Sequence, residues 1–364
     1  MDLNQLTRKE IRTLKPYVPG KSIEDVQKQW GFQEVTNLST NESILGTSVS
    51  VKKAIIGELE QIYRYPDADC RLLCHDLSDY YGISPEQMII TNGGDELIYL
   101  LGQSFISPED EIIMSQYGFG TYRIISQLFG GKIVSVPFQK NKINLAEMAK
   151  KVTKKTKLIF LCNPHNPLGT IITEDDLKQF LKQIPAHPVI VLDEAYLDFV
   201  EDKNFPDSVR FIQEDSHHLI ALRTFSKIGG IAGLRAGFGL ARKELIDILK
   251  RVQPPYSVNR IAHVAARAFL SDQHYRKQLL DYNHEGKVFL YQQLNQLNVE
   301  YIPTEANFIF VNLKKDAEVI CQKLMEQGII IRSGNVWGCP TFVRITIGLP
   351  EQNQVLIKSL TKII

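Results

Sequence analysis

The chain has 364 residues, 44% of them apolar, and a formal charge of +1. That size suits one large domain with a smaller companion. The near-neutral charge gives no overall electrostatic reason to expect nucleic acid or an anionic membrane surface as a partner. The start, "MDLNQLTRKEIRTLKPY", lacks the apolar centre of a signal peptide, and no apolar run approaches the roughly 18 residues of a membrane span. Five cysteines form no dense framework and suit a reducing compartment. The expectation is a cytoplasmic protein that acts on small molecules.

In chain order, residues 1–40 read as an N-terminal arm packing with a small C-terminal domain. The character of the chain changes near residue 250, which sets a large domain over 41–250 and a small one over 251–364. Cys70, Cys74 and His75 cluster without C-x-x-C spacing or a second ligand pair, so no metal is expected. "QMIITNGG" predicts a strand entering a glycine turn, and "DELIYLLGQSF" a helix opening near Gly94 and Asp95. Exposed N–H groups at such a start bind phosphate, with Asp95 acting through its backbone and as a cap. "EIIMSQYG" and "KIVSVPF" are further strands, and "KKVTKKTK" is a solvated helix end.

"KLIFLCNPHNPLGT" is a strand followed by a proline-fixed turn. Cys162 at the strand end reads as a small buried apolar residue, and the Asn166 amide beyond it is placed to donate to an anion. After the helical "EDDLKQFLKQI", the strand "PVIVLDEAY" ends on Asp193, with Tyr196 three residues on. A carboxylate there is costly unless it meets a cation. "HLIALRTFS" leads into "SKIGGIAGLRAGFG". Lys227 precedes the glycines, which excludes a P-loop, and G-x-G-x-x-G spacing is absent. Beyond residue 250, "RIAHVAARAFLSD" and "HEGKVFLYQQLNQL" are helical, and "NFIFVNL", "IIIRSG" and "FVRITIG" complete a small α+β domain.

Runs such as "LIFLC" and "VIVL" suit strands covered on both faces, hence an α/β fold with a mainly parallel sheet. In such folds functional residues gather at strand C-terminal ends. A lysine amine forms Schiff bases with aldehyde cofactors such as pyridoxal 5'-phosphate. That cofactor needs a carboxylate at its pyridine nitrogen, for which Asp193 is the candidate. It needs a donor to its phenolic oxygen, Asn166 or Tyr196. It also needs a phosphate cradle, here Gly94, Asp95, Ser226 and Arg235, the last suited to bidentate contact. Singly, each motif also reads as an ordinary cap, turn or surface residue. Together, four strand ends meet the needs of one cofactor.

At these residues the chain resembles the fold type I pyridoxal-phosphate-dependent aminotransferases, and within them the histidinol-phosphate aminotransferase family. Lys227 in "TFSKIGGIAGLRAGFG" matches that family's Schiff-base lysine, Ser226 and Arg235 its phosphate ligands, Asp193 and Tyr196 its D-E-A-Y, and Asn166 the second Asn of N-P-N-N-P-T-G. The resemblance implies a homodimer in which Tyr65 of "YRYPD" reaches the neighbouring subunit's cofactor phosphate. It implies that Arg344 holds a substrate carboxylate, and that Arg332 and Tyr17 bind the distal anionic group. Phe119 of "QYGFGTY" aligns as the ring stacked on the cofactor, with Tyr117 second. The family's N-E-N-P is "NESI" here, from Asn41, a substrate-side candidate, to Ile44. Leu168 replaces the usual Thr, and Gly94 the usual Ser or Ala. The implied reaction is transamination between L-histidinol phosphate and 2-oxoglutarate, that is, an amino donor and a 2-oxo acid. Alternatives are an aromatic amino-acid aminotransferase, a decarboxylase of a phosphorylated amino acid or, remotely, a sensing module without catalysis.

Overall fold

After a two-residue strand β1 (Thr36–Asn37), seven strands form the central sheet of a computed structural model that describes residues 2–16, 20–214 and 216–364. They are β2 (Met88–Thr91), β3 (Glu111–Ser115), β4 (Lys132–Val136), β5 (Thr156–Cys162), β6 (Val189–Asp193), β7 (His218–Thr224) and β8 (Gly237–Ala241), in the order β2-β8-β7-β6-β5-β3-β4. β3 to β7 pair in parallel, while β8 is antiparallel to both β7 and β2. A short return suffices for an antiparallel neighbour, whereas parallel pairs need helical crossovers.

Both faces of the sheet are covered, as the apolar runs require. Ile159, Leu161, Ile190 and Leu192 point into one buried cluster, and Leu158, Phe160, Val189 and Val191 into the other. This is the period of two of a pleated strand with a core on each side.

The small domain holds β9 (Glu300–Ile302), β10 (Phe308–Asn312), β11 (Ile329–Ile330), β12 (Arg332–Ser333) and β13 (Phe342–Thr346). An antiparallel sheet runs β12-β13-β10-β9, and β11 pairs in parallel with β1. The helix Gln273–Gln296 joins the two domains. Tyr275 and Leu279 belong to the large core, and Leu290 and Leu294 to the small one.

Two sequence boundaries shift. The helix Arg260–Ser271, expected in the small domain from residue 251, buries Ala262, Ala265, Ala266 and Phe269 in the large core with Leu73 and Leu77. Its small-residue face lies flat on the helices Val49–Glu58 and Arg71–Tyr81. The arm expected against the small domain is divided. The helix Lys9–Arg12 lies on Gly120–Leu128 of the large domain, with Arg8 Nη2 donating to the Leu128 carbonyl, and the strand β1 further on joins the small domain.

Phe269 meets Phe225 edge-on with ring centres 6.1 Å apart, directly before Ser226 and Lys227. Phe269→Ala is expected to cost about 3–5 kcal/mol, as for other buried aromatic truncations. Denaturant unfolding followed by far-ultraviolet circular dichroism would measure the loss.

Candidate active site

The parallel strands end on one edge of the sheet, so Ser115, Cys162, Asp193 and Thr224 deliver the residues that follow them to one cleft. Register places Asp193 between Cys162 and Leu222 of the flanking strands. Asp193 is 5% exposed and has only neutral donors: Tyr122 Oη–H to Oδ2, and the Ala195 N–H to Oδ1 at 3.2 Å. Burial raises its pKa to about 6, against the lowering by these two donors. The adjacent Glu194 points to the other face, where Arg223 Nε and the Ser208 hydroxyl donate to it at 2.8 and 2.9 Å. One carboxylate of the pair therefore has a cation inside the fold, and the other faces the cleft without one.

Lys227 reaches the cleft from the turn after β7. Its Nζ donates to the Thr40 carbonyl at 2.9 Å and lies 5.9 Å from the centre of the Tyr196 ring. Loss of hydration, with lesser contributions from Arg344 and Arg235, lowers its pKa to about 8. Tyr196 is 4% exposed and accepts from Asn41 Nδ2 at 3.0 Å, which leaves its own hydrogen to donate elsewhere. Asn166 Oδ1 accepts from Arg344 Nη1 at 2.7 Å, an orientation that turns the amide N–H group away from the arginine. Two hydrogen-bond donors are thus oriented by their neighbours.

The anion cup lies at the start of the helix Gly93–Phe105, in its first turn with Gly94 and Asp95. Gly93 has φ +77°, and a Cβ there would stand 2.6 Å from Arg235 Nη2, so the close approach requires glycine. Arg235 Nη1 donates to Ser226 Oγ at 3.3 Å and Nη2 to Asp95 Oδ2 at 3.4 Å, while Thr121 holds Asp95 Oδ1 at 2.9 Å. Asp95 therefore neutralises the arginine and anchors Thr121 instead of capping the helix as expected; Glu96 Oε2 accepts from the Asn92 N–H at 2.6 Å in its place.

Phe119 sits edge-on to Tyr122, with ring centres 5.8 Å apart, beside the Asp193 end of the cleft. Tyr117 instead stacks on Phe138 at 5.3 Å, turned toward a cluster with Leu168, Phe310, Cys339 and Trp337. From the small domain, Arg344 Nη2 donates to the Ser39 carbonyl, and its guanidinium lies 5.3 and 5.4 Å from the rings of Trp337 and Phe308. Arg332 is directly opposite Arg344 across β12 and β13, so the two share one face of the sheet. Gly20 passes so near that a Cβ would lie 2.8 Å from Arg332 Nη1.

Asn41, expected on the substrate side, is 1% exposed and spends its side chain within the protein. Besides Tyr196 it accepts from Thr346 Oγ1 at 3.0 Å, and its carbonyl accepts from Asn307 Nδ2 at 3.1 Å. It holds Tyr196 in place. Tyr17 lies outside the described residues. Tyr65 is 78% exposed, stacked on Tyr256 at 4.7 Å and turned out to solvent, with no bond to the cleft residues above among the described contacts. Cys70 lies against His263 at 3.0 Å and His75 against Asp79 at 3.3 Å, so the sequence cluster is divided between two environments. Sequence reasoning missed Tyr122, Thr121 and Thr346, whose partners are far apart in the chain.

These groups fit pyridoxal phosphate. Asp193 has only neutral donors among the described residues and suits a cationic N–H partner, Tyr196 and Asn166 can donate to a phenolate, the helix start with Ser226 and Arg235 suits a phosphate, and Lys227 carries the amine.

The profile of the aminotransferase class I and II family matches residues 33–360. The histidinol-phosphate aminotransferase of Moorella thermoacetica is 42% identical over 98% of this chain and 92% of its own length. The crystal structure of histidinol-phosphate aminotransferase from Sinorhizobium meliloti in complex with pyridoxal-5'-phosphate superposes with a TM-score of 0.90 at 25% identity, over 98% of each chain. L-threonine-O-3-phosphate decarboxylase from Porphyromonas gingivalis gives 0.79 at 25% identity, over 90% of this chain and 99% of its own.

Lys227 titrating near 8 is nucleophilic at lower pH than an ordinary lysine near about 10.4. The rate at which the cofactor-free protein captures pyridoxal phosphate should rise with pH to a midpoint near 8, followed by absorbance in stopped flow. A midpoint above about 10 would exclude the desolvated amine.

Proposed function

The chain belongs to the aminotransferase class I and II family and is a pyridoxal-phosphate-dependent aminotransferase, and from that premise we propose that it transfers the amino group of L-histidinol phosphate to 2-oxoglutarate. The observation that carries the substrate reading is the cross-strand pair Arg332 and Arg344 on one sheet face. Two cations directly opposite one another repel, and an anionic substrate relieves the repulsion. Arg344 takes a carboxylate, and Arg332, with Tyr17, the distal phosphate or second carboxylate.

In this reading the phosphate of the cofactor rests on Gly94, Asp95, Ser226 and Arg235. Asp193 faces its ring nitrogen, Asn166 and Tyr196 its phenolic oxygen, and Phe119 its ring. When bound, the cofactor supplies an electron sink for the pair left at the substrate Cα. Lys227, with a pKa of about 8, is partly neutral at physiological pH and accepts the Cα proton, then returns it one position along. Tyr196, whose own pKa burial raises to about 12, stays a hydrogen donor throughout. Packing of Tyr117, Leu168 and Trp337 beside Arg344 gives a flat apolar wall for the imidazole.

The proposed assembly is a homodimer. Val49, Ile56, Leu59, Ile62, Tyr63 and Tyr65 are exposed apolar side chains within one short stretch, a concentration that monomers seldom leave open. Tyr65 then serves the partner's cofactor phosphate. None of the helices among the described residues is long and apolar enough to cross a membrane. The five cysteines are all unpaired and buried, which supports a reducing, cytoplasmic setting.

Half-reactions test the substrate. Histidinol phosphate and glutamate should each convert the bound cofactor to its amine form, faster than phenylalanine does. Release of carbon dioxide from a phosphorylated amino acid would instead favour a decarboxylase. Arg332→Met should raise KM for histidinol phosphate about 10- to 100-fold, the worth of a charge-assisted contact, and leave phenylalanine turnover nearly unchanged. Lys227→Ala should abolish turnover. Tyr65→Ala should be impaired alone, yet mixing it with Lys227→Ala subunits should restore activity in hybrid dimers. No recovery on mixing would remove the shared-site arrangement.

A further inference from the structure

Tyr122 has no part in the cofactor contacts above, yet it makes the principal side-chain hydrogen bond to Asp193. It lies on the helix Gly120–Leu128 and is 1% exposed. Its ring stacks on Phe160 with centres 4.2 Å apart and planes within 12°, and it meets Phe119 edge-on. Packing therefore fixes the ring, and its Oη–H donates to Asp193 Oδ2. Among the described residues, the other titratable groups near the carboxylate bring no positive charge: the Cys162 thiol and Tyr196 phenol are neutral, while Asp95 and Glu194 add negative charge. Among the described residues, the Tyr122 hydroxyl and the Ala195 N–H are the groups that donate to Asp193.

We propose that Tyr122 is a positioning residue that keeps the shared proton on the ring nitrogen of pyridoxal phosphate rather than on Asp193. The inference rests on the reading that Asp193 faces that nitrogen. A carboxylate and a pyridine nitrogen in a dry site compete for one proton, and the more basic partner holds it. Desolvation makes the carboxylate more basic. A phenol donating to it withdraws charge and makes it less so, and the proton then stays on nitrogen, where it strengthens the electron sink. No atom is gained or lost; only the position of one proton changes.

The test is a ring-nitrogen NMR signal. Holoenzyme is reconstituted with pyridoxal phosphate labelled with 15N in the pyridine ring, in wild type, Tyr122→Phe, Asp193→Asn and the double variant. Wild type should give a protonated-nitrogen shift. Tyr122→Phe should move it well toward the neutral value, weaken cofactor binding by about tenfold, and lower kcat by about as much while KM changes little. Asp193→Asn should give the neutral value with or without Tyr122. If Asp193→Asn moves the signal and Tyr122→Phe leaves it unchanged, the role of Tyr122 is overturned, whatever happens to affinity. If Asp193→Asn itself leaves the signal unchanged, the reading of Asp193 fails instead, and this proposal fails with it. Should Tyr122→Phe not fold, p-aminophenylalanine placed at 122, a weaker donor of the same shape, must move the signal from the wild-type value toward the neutral one; an unchanged signal overturns the proposal.

Discussion

The site depends on an acidic side chain placed where charge is most costly. Ile190, Val191 and Leu192 are at most 2% exposed, and Asp193 follows them at the end of the same strand. Glu194, one residue on, faces the same penalty on the opposite side and is matched by the Arg223 guanidinium. The contrast between the two carboxylates is informative. A fold that needed only stability would pair both or neither, because removing an ion pair in favour of apolar groups is often neutral or better. On the proposed reading the cation for Asp193 is the cofactor's ring nitrogen, and the strand pattern, the Tyr122 stack and the Ala195 turn hold the carboxylate in one position for it.

The second constraint is that neither domain completes the site alone. Asn166 belongs to the large domain, yet its amide is oriented by Arg344 of the small one. Tyr196 belongs to the large domain, yet Asn41 holds it, and Asn41 is fixed by Thr346 and Asn307. Away from the cleft, Glu305 accepts the N–H groups of Glu201 and Asp202, and its own N–H donates to Gly169 at the end of the Asn166 turn. The contacts that orient Asn166 and Tyr196 thus lead into the small domain, whereas those of Asp193 and Arg235 stay within the large one. For the first pair, domain placement and site geometry are one set of hydrogen bonds.

Much of this was legible in the sequence because fully buried parallel strands leave a plain signature and put their C-terminal ends on one edge. Asp193, Asn166, Ser226 and Lys227 follow from that rule. The assignment of the helix Arg260–Ser271 did not, since an alanine-rich face has no mark of which core it joins. The antiparallel β8 was likewise hidden, because "AGFGLA" reads the same in either direction of pairing. Asn41 looked like a substrate contact for want of its partners, which lie 155 to 305 residues away. Tyr122 was invisible for a related reason: helical periodicity accounts for its burial and gives no hint of the one hydrogen bond that matters.

On the proposed reading, one cleft must take a phosphate ester in one half-reaction and a dicarboxylate in the other, and the two arginines are unequal in a way that suits this. Arg344 is 7% exposed, bonded to Asn166 and Ser39 and set beside two aromatic rings, so its guanidinium has one position. Such a group recognises an anion held at a constant distance from the reacting carbon. Arg332 is half-buried at the sheet edge, where backbone at Gly20 passes close to its tip in place of a side chain. A long side chain at the sheet edge can meet an anion farther from the reacting carbon than Arg344 does. On that reading the fixed arginine sets the register of the dicarboxylate, and Arg332 meets either its second carboxylate or the single phosphate of the ester.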